Sequence, residues 1–143
     1  MDYETKYWVK KALSAQRSLK DDVDDINSDI DDMIYDEENT YKAMQSIIVL
    51  MERKRRLLAL RTIVTETLSE ITPKYRELLA GRYLHFKTCD AVADGLCIWK
   101  RQFFRDHDAA VRECAAYLDK RGCTAKWFAR YYGDILDDVR CKM

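Results

Sequence analysis

Within seven positions the chain places Trp99, Lys100, Arg101, Gln102 and Arg105, a set whose chemistry suits the grooves of duplex DNA. Arg and Lys reach guanine O6 and N7 or a phosphate, Gln pairs with adenine N6 and N7, and an indole stacks on a sugar or packs on a thymine methyl. Such side chains read base edges when a short helix carries them into the major groove, and a helix-turn-helix supplies that geometry. Its two helices cross steeply, which calls for Ala where the backbones touch, an apolar pair flanking the turn, and an aromatic or branched residue midway along the second helix. Val92, Ala93, Leu96, Ile98 and Phe103 meet these needs in order. Cys97 stands at the turn position where φ is often positive and Gly is common. Asp106, Asp108 and Glu113 would repel phosphate, so the DNA-facing part is expected to end near Arg105. The same spacing also fits a generic helical pair with a polar face.

Other chemistry is poorly supplied. The two histidines, His85 and His107, sit in no nucleophile or metal spacing, and the four glycines at 81, 95, 122 and 133 are too scattered to cradle a phosphate. Five cysteines at 89, 97, 114, 123 and 141 match neither a paired metal motif nor a disulfide framework, and are expected to be buried small hydrophobes in a reducing cytoplasm. Asp25, Asn27, Asp29, Asp31 and Asp36 fall at calcium-loop spacing, but Ile30 replaces the required Gly, and Ile26, Ile30 and Met33 continue a helical stripe through the same residues. The expectation is no enzyme, no catalytic residue, no metal and no cofactor.

The elements that must position the site are helical. With four Gly and one Pro in 143 residues, an all-β fold lacks its turns. Positions 9, 12, 16, 19, 23, 26, 30 and 33 alternate steps of three and four, and all but Gln16 are apolar or Ala, which predicts a coiled-coil seam along a helix from Tyr3 to Tyr35. Met44, Ile47, Met51, Leu58, Val64, Leu68 and Ile71 give a second stripe, so the two form an antiparallel hairpin bending near Glu38-Asn39-Thr40. Thr72-Pro73 starts a short helix with the Thr hydroxyl as cap, running to about Tyr83. Thr88 caps another that Gly95 ends, and a long helix then runs from Ile98 or Trp99 to Gly122, with Phe103, His107, Val111, Cys114 and Leu118 on one face. Thr124 caps a last helix whose Trp127, Phe128, Tyr131, Tyr132, Ile135 and Leu136 are too bulky to leave in water. The chain therefore reads as all-α, divided into a helical hairpin over 1–71, a helix-turn-helix module over 72–122 and an amphipathic C-terminal helix over 123–143.

Charge adds a second layer. Lys plus Arg and Asp plus Glu are 25 each, yet residues 21–38 hold ten acids and no base while 39–87 hold ten bases and four acids. The hairpin sets Arg53, Lys54, Arg55 and Arg56 opposite Asp21 to Asp25, so this basic run reads as a paired or solvated face ahead of a nucleic-acid patch. The longest aliphatic stretch, Ile47 to Met51, is far short of a membrane span, and the start Met1-Asp2-Tyr3-Glu4 has no secretory character.

Residues Ile71 to Leu118, through Ile71 to Tyr83, Thr88 to Leu96 and Ile98 to Arg105, resemble region 4 of bacterial sigma factors. They are closer still to the sigma-region-4-like regulators of phages and prophages, the ArpU and RinA type, which set a long helical segment before the same module. Glu77, Leu78, Leu79, Arg82 and Tyr83 match that family's first helix, and Phe103-Phe104-Arg105 its recognition-helix turn, while Trp99 replaces the usual capping Ser and Cys97 the usual Gly or His. The resemblance implies binding to promoter or operator double-stranded DNA, with RNA polymerase as a possible second contact, in control of phage or mobile-element genes. Thr88, Trp99, Lys100, Arg101, Gln102 and Arg105 are the expected DNA-binding residues. The rival expectation is an all-helical protein–protein interaction module, acting through the acidic seam or the aromatic last helix without DNA. Both the seam and the last helix also suit a homodimer.

Overall fold

A computed structural model describes residues 2–35 and 40–137. Its elements are α1 (Tyr3–Ile34), α2 (Thr40–Glu70), α3 (Pro73–Leu79), a π-helical turn (Ala80–Leu84), α4 (Cys89–Gly95), α5 (Lys100–Lys120) and α6 (Ala125–Leu136), so the described chain is all-α. None of these helices is long and apolar enough to cross a membrane. The described residues form two compact units, one of residues 18–62 and one combining the chain up to Arg17 with the chain from Ile63 onward.

The larger unit is organised on α5, against which α3 and α4 pack. Phe103, His107, Val111, Cys114 and Leu118, the apolar face read from spacing, are all buried. Four-residue and three-residue steps on a helix keep that face in one stripe, and full burial of each large side chain contributes about 1.5–3 kcal/mol. The start of α1 closes another side of this core with Val9, Ala12 and Leu13, and the end of α2 adds Val64 and Leu68. Helix α6 buries Phe128, Tyr132, Ile135 and Leu136, and the Trp8 ring lies parallel to Phe128 at 6.4 Å. Tyr131 stays exposed at the rim.

Local signals explain most boundaries. Thr88 Oγ1 accepts from the Ala91 amide at 3.1 Å and Thr124 Oγ1 from the Trp127 amide at 3.4 Å, each satisfying a donor that the first helical turn leaves open. Thr72 differs from expectation. It precedes Pro73, but its hydroxyl makes no cap; it donates to Glu113 Oε1 of α5 at 2.9 Å. The helix expected to continue to Tyr83 also changes pitch at Ala80, where the His85 amide donates to the Ala80 carbonyl across five residues. Gly81 faces Val92 in this turn, and a Cβ there would stand 3.2 Å from Val92 Cγ2, so the close approach of the turn to α4 depends on the missing side chain.

In the smaller unit, α1 buries Leu19 and Ile26 and α2 buries Leu57 and Leu60. The second stripe departs from its expected register. Met44 and Met51 are exposed, because the unbroken run Ile47 to Met51 puts apolar side chains on every face of α2 and periodicity there is ambiguous. Across the pair, Lys54 Nζ donates to Asn27 Oδ1 at 2.7 Å, two residues beyond the Asp25 level expected from a bend at residue 39. The expected block of cross-helix ion pairs is not formed by the acids of α1: among the described residues Asp21, Asp22, Asp24, Asp25, Asp29, Asp31 and Asp32 hold no ion pair, and Arg55 pairs with Glu52 of its own helix. The residues at calcium-loop spacing from Asp25 to Asp31 are continuous α-helix; Asp36 lies outside the described residues.

Cys97, between α4 and α5, has φ of 55°. An L side chain held in the left-handed region costs on the order of 1 kcal/mol, so Cys97→Gly is expected to raise the free energy of unfolding by up to about 1 kcal/mol, with the bulkier, β-branched Cys97→Val lowering it. Urea titration followed by circular dichroism measures both.

Candidate nucleic-acid interface

The segment from Thr88 to Arg105 is built from two helices and a tight corner. Val92 and Ala93 are buried, the Leu96 amide donates to the Val92 carbonyl at 3.0 Å, and the Ile98 amide to the Ala93 carbonyl at 3.0 Å. These bonds wrap the chain around the left-handed Cys97 and release it extended into Trp99, the residue before the first turn of α5. Phe103, fully buried, anchors that first turn, so the residues around it are positioned by a rigid core contact.

The six expected residues fall into three groups. Trp99, Arg101 and Arg105 are exposed, Trp99 at 86%, and Arg101 and Arg105 stand four residues apart on one side of α5. Trp99 makes no side-chain cap, so its indole is not used locally. Lys100 is exposed and pairs with Asp90 of α4 at 3.4 Å, a solvent-screened contact of about 0–1 kcal/mol that a phosphate displaces easily. Thr88 is exposed, its hydroxyl engaged by the Ala91 amide. Gln102 is placed differently from the rest: half-buried, it donates from Nε2 to Asp106 Oδ1 at 2.8 Å. Asp106 is itself buried and its other oxygen lies 3.2 Å from Lys74 Nζ of α3. Gln102 and Asp106 thus brace α5 against α3.

A feature that spacing does not reveal is the buried pair under the site. Tyr83 Oη and His107 Nε2 share a hydrogen bond of 2.8 Å, joining the π-helical turn to the middle of α5. Burial drives the His107 pKa down to about 4, and the positive charge of Lys10 adds to the effect. The ring is neutral at pH 7. Cys114, two turns farther on along the same face, is also buried and its thiol is pushed up to about 12 by burial, so it stays protonated. Of the other described cysteines, Cys89 and Cys123 are half-buried, and Cys97 is exposed, contrary to the expectation that all are core residues; Cys141 lies outside the described residues. Among the described residues no group of His, Cys, Asp and Glu converges in a metal-binding cluster.

No known family model matches the chain, and no curated protein and no solved structure is detectably similar to it.

The titration of His107 has a defined sign. The unfolded chain takes up a proton near pH 6.5 while the folded one resists until about pH 4, so the stability contributed by neutral His107 is complete above pH 6.5 and falls as pH drops toward 4. The expected loss is about 3 kcal/mol over that window. His107→Gln, which keeps a hydrogen-bonding partner for Tyr83 without titrating, removes this part of the slope; urea unfolding of the two proteins from pH 7 to pH 4 gives the difference.

Proposed function

We propose that the chain is a sequence-specific DNA-binding regulator in which residues 72–122 act as a sigma-region-4-like helix-turn-helix, preceded by an antiparallel helical hairpin and followed by the docked helix α6. The observation that supports this best is the pairing of opposites at the start of α5. Phe103 is fully buried while Trp99, Lys100, Arg101 and Arg105 around it point outward, three cations and an indole on a helix end fixed by a left-handed corner. Arg101 and Arg105 suit bidentate contacts to guanine or phosphate, Lys100 a phosphate once released from Asp90, and Trp99 a thymine methyl or sugar. Thr88 marks the helix end that approaches the backbone on the other side of the turn. Gln102 braces the helix in this reading and does not read adenine. The resemblance at residues 71–118 extends the proposal to promoter or operator DNA of phage or mobile elements, to RNA polymerase as a possible second contact, and to a cytoplasmic setting.

Electrophoretic titration at 50 mM salt against the DNA flanking its own gene tests the proposal. Arg101→Ala and Arg105→Ala are expected to weaken specific binding by about 1–3 kcal/mol each if they meet bases. Lys100→Ala is expected to weaken all sequences alike and to flatten the salt dependence by about one counterion. Equal binding by wild type and the three variants, or no binding at all, overturns the DNA reading.

The rival, an all-helical interaction module without DNA binding, is favoured by a specific observation as well: the smaller unit carries a cluster of uncovered apolar side chains.

A further inference from the structure

The smaller unit is a two-helix layer with more apolar surface than one interface can cover. Tyr41, Met44, Ile48 and Met51 follow at steps of three, four and three along α2, the repeat of a helix-packing seam, yet each is between 57% and 75% exposed. This stripe borders a groove of about 650 Å³ between α1 and α2, lined by Ile30, Met51 and Leu58, with Asp31 on the α1 rim and Lys54 and Arg55 on the α2 rim. The α1 rim is acidic over its length: Asp24, Asn27 and Asp31 share one side of the helix, and neither aspartate is ion-paired among the described residues.

We propose that the occupant of this face is a second copy of the chain, packed hairpin on hairpin as a four-helix bundle. Charge selects both the partner and the symmetry. Two identical layers meeting face to face can be related by a twofold axis across the helices or along them. An axis across the helices lays α1 on α1, acid on acid. An axis along them lays the acidic α1 of each copy on the basic α2 of the other, with both bends pointing the same way. The Lys54–Asn27 contact sets the levels: counting from it, Asp24 stands level with Leu57, within one turn of Arg55 of the facing copy, whose guanidinium pairs with Glu52 of its own helix and would be shared between the two carboxylates. The same axis sets Met51 and Ile48 of each copy at the levels of Ile30 and Met33 of the other's α1. An acidic partner protein would meet the aspartates of α1 unfavourably, and a basic one the α2 rim, whereas a copy of the chain offers both signs in the required order. This inference does not depend on DNA binding.

Sedimentation equilibrium of the full chain without DNA tests it. The expected result is twice the 16.9 kDa chain mass across the micromolar range. Met44→Glu with Ile48→Glu, both exposed in the single chain, is expected to give the monomer mass with unchanged helical circular dichroism. Asp24→Arg alone and Arg55→Asp alone are each expected to weaken self-association about tenfold, and an equimolar mixture of the two single variants to restore it, because only the mixed pair matches charges at both contacts. A wild-type chain that stays monomeric overturns the proposal and leaves the stripe to a different protein. A dimer indifferent to the Met44 and Ile48 changes overturns the assignment of this face, and a dimer strengthened by either single charge change overturns the axis.

Discussion

The need to keep one face of α5 dry governs the larger unit. Phe103, His107, Val111, Cys114 and Leu118 run the length of that helix, and α3 and α4 lie against it. A histidine in such a stripe imposes a condition the aliphatic residues do not. Its ring must stay neutral and a ring nitrogen needs a partner, since an unsatisfied buried polar group costs about 1–3 kcal/mol. Tyr83 supplies that partner, and the change of helical pitch between Ala80 and Leu84 sets the segment that carries Tyr83. The exposed cations at the start of α5 inherit their positions from this buried arrangement.

The smaller unit rests on different physics. Seven aspartates between residues 21 and 32 make this part of α1 a poor helix by propensity, and like charges three and four apart add repulsion of about 0.2–0.5 kcal/mol per pair. The buried seam through Leu19 and Ile26 offsets that cost on the inner side. On the outer side an opposing basic surface would relieve the repulsion that solvent only screens. In the proposed dimer, acid density in one helix and base density in the next, in a chain of zero net charge, selects the partner, while the apolar stripe supplies most of the driving force.

Elements whose signals are local were legible in the sequence. The steps of three and four along α1 and α5, the caps at Thr88 and Thr124 and the burial of Phe103 all follow from residues within a few positions of one another. What escaped were competitions decided by distant residues. Thr72 gives its hydroxyl to Glu113, 41 positions away, so no inspection of its neighbours reveals the missing cap. Gln102 has the right type for adenine, but its i+4 neighbour Asp106 is buried against Lys74 and holds the amide. Along Ile47 to Met51 the sequence is apolar on every face, and only the packing tells that Met44 and Met51 lie outside. Within the proposed interface, type and spacing identified exposed Trp99, Lys100, Arg101 and Arg105, but could not show which neighbour had already claimed a side chain.

The turn from Ala80 to Leu84 carries one residue more than regular winding would use. Excising a single residue there would heal the winding, and by that measure look harmless. Yet removing Arg82 would bring Gly81 and Tyr83 one position closer along the helix, so the face of Gly81 against Val92 and the Tyr83 phenol on the His107 imidazole could not both be kept. The spacing of Gly81 from Tyr83 thus makes the length of this short segment as much a requirement of the fold as the identity of those two residues.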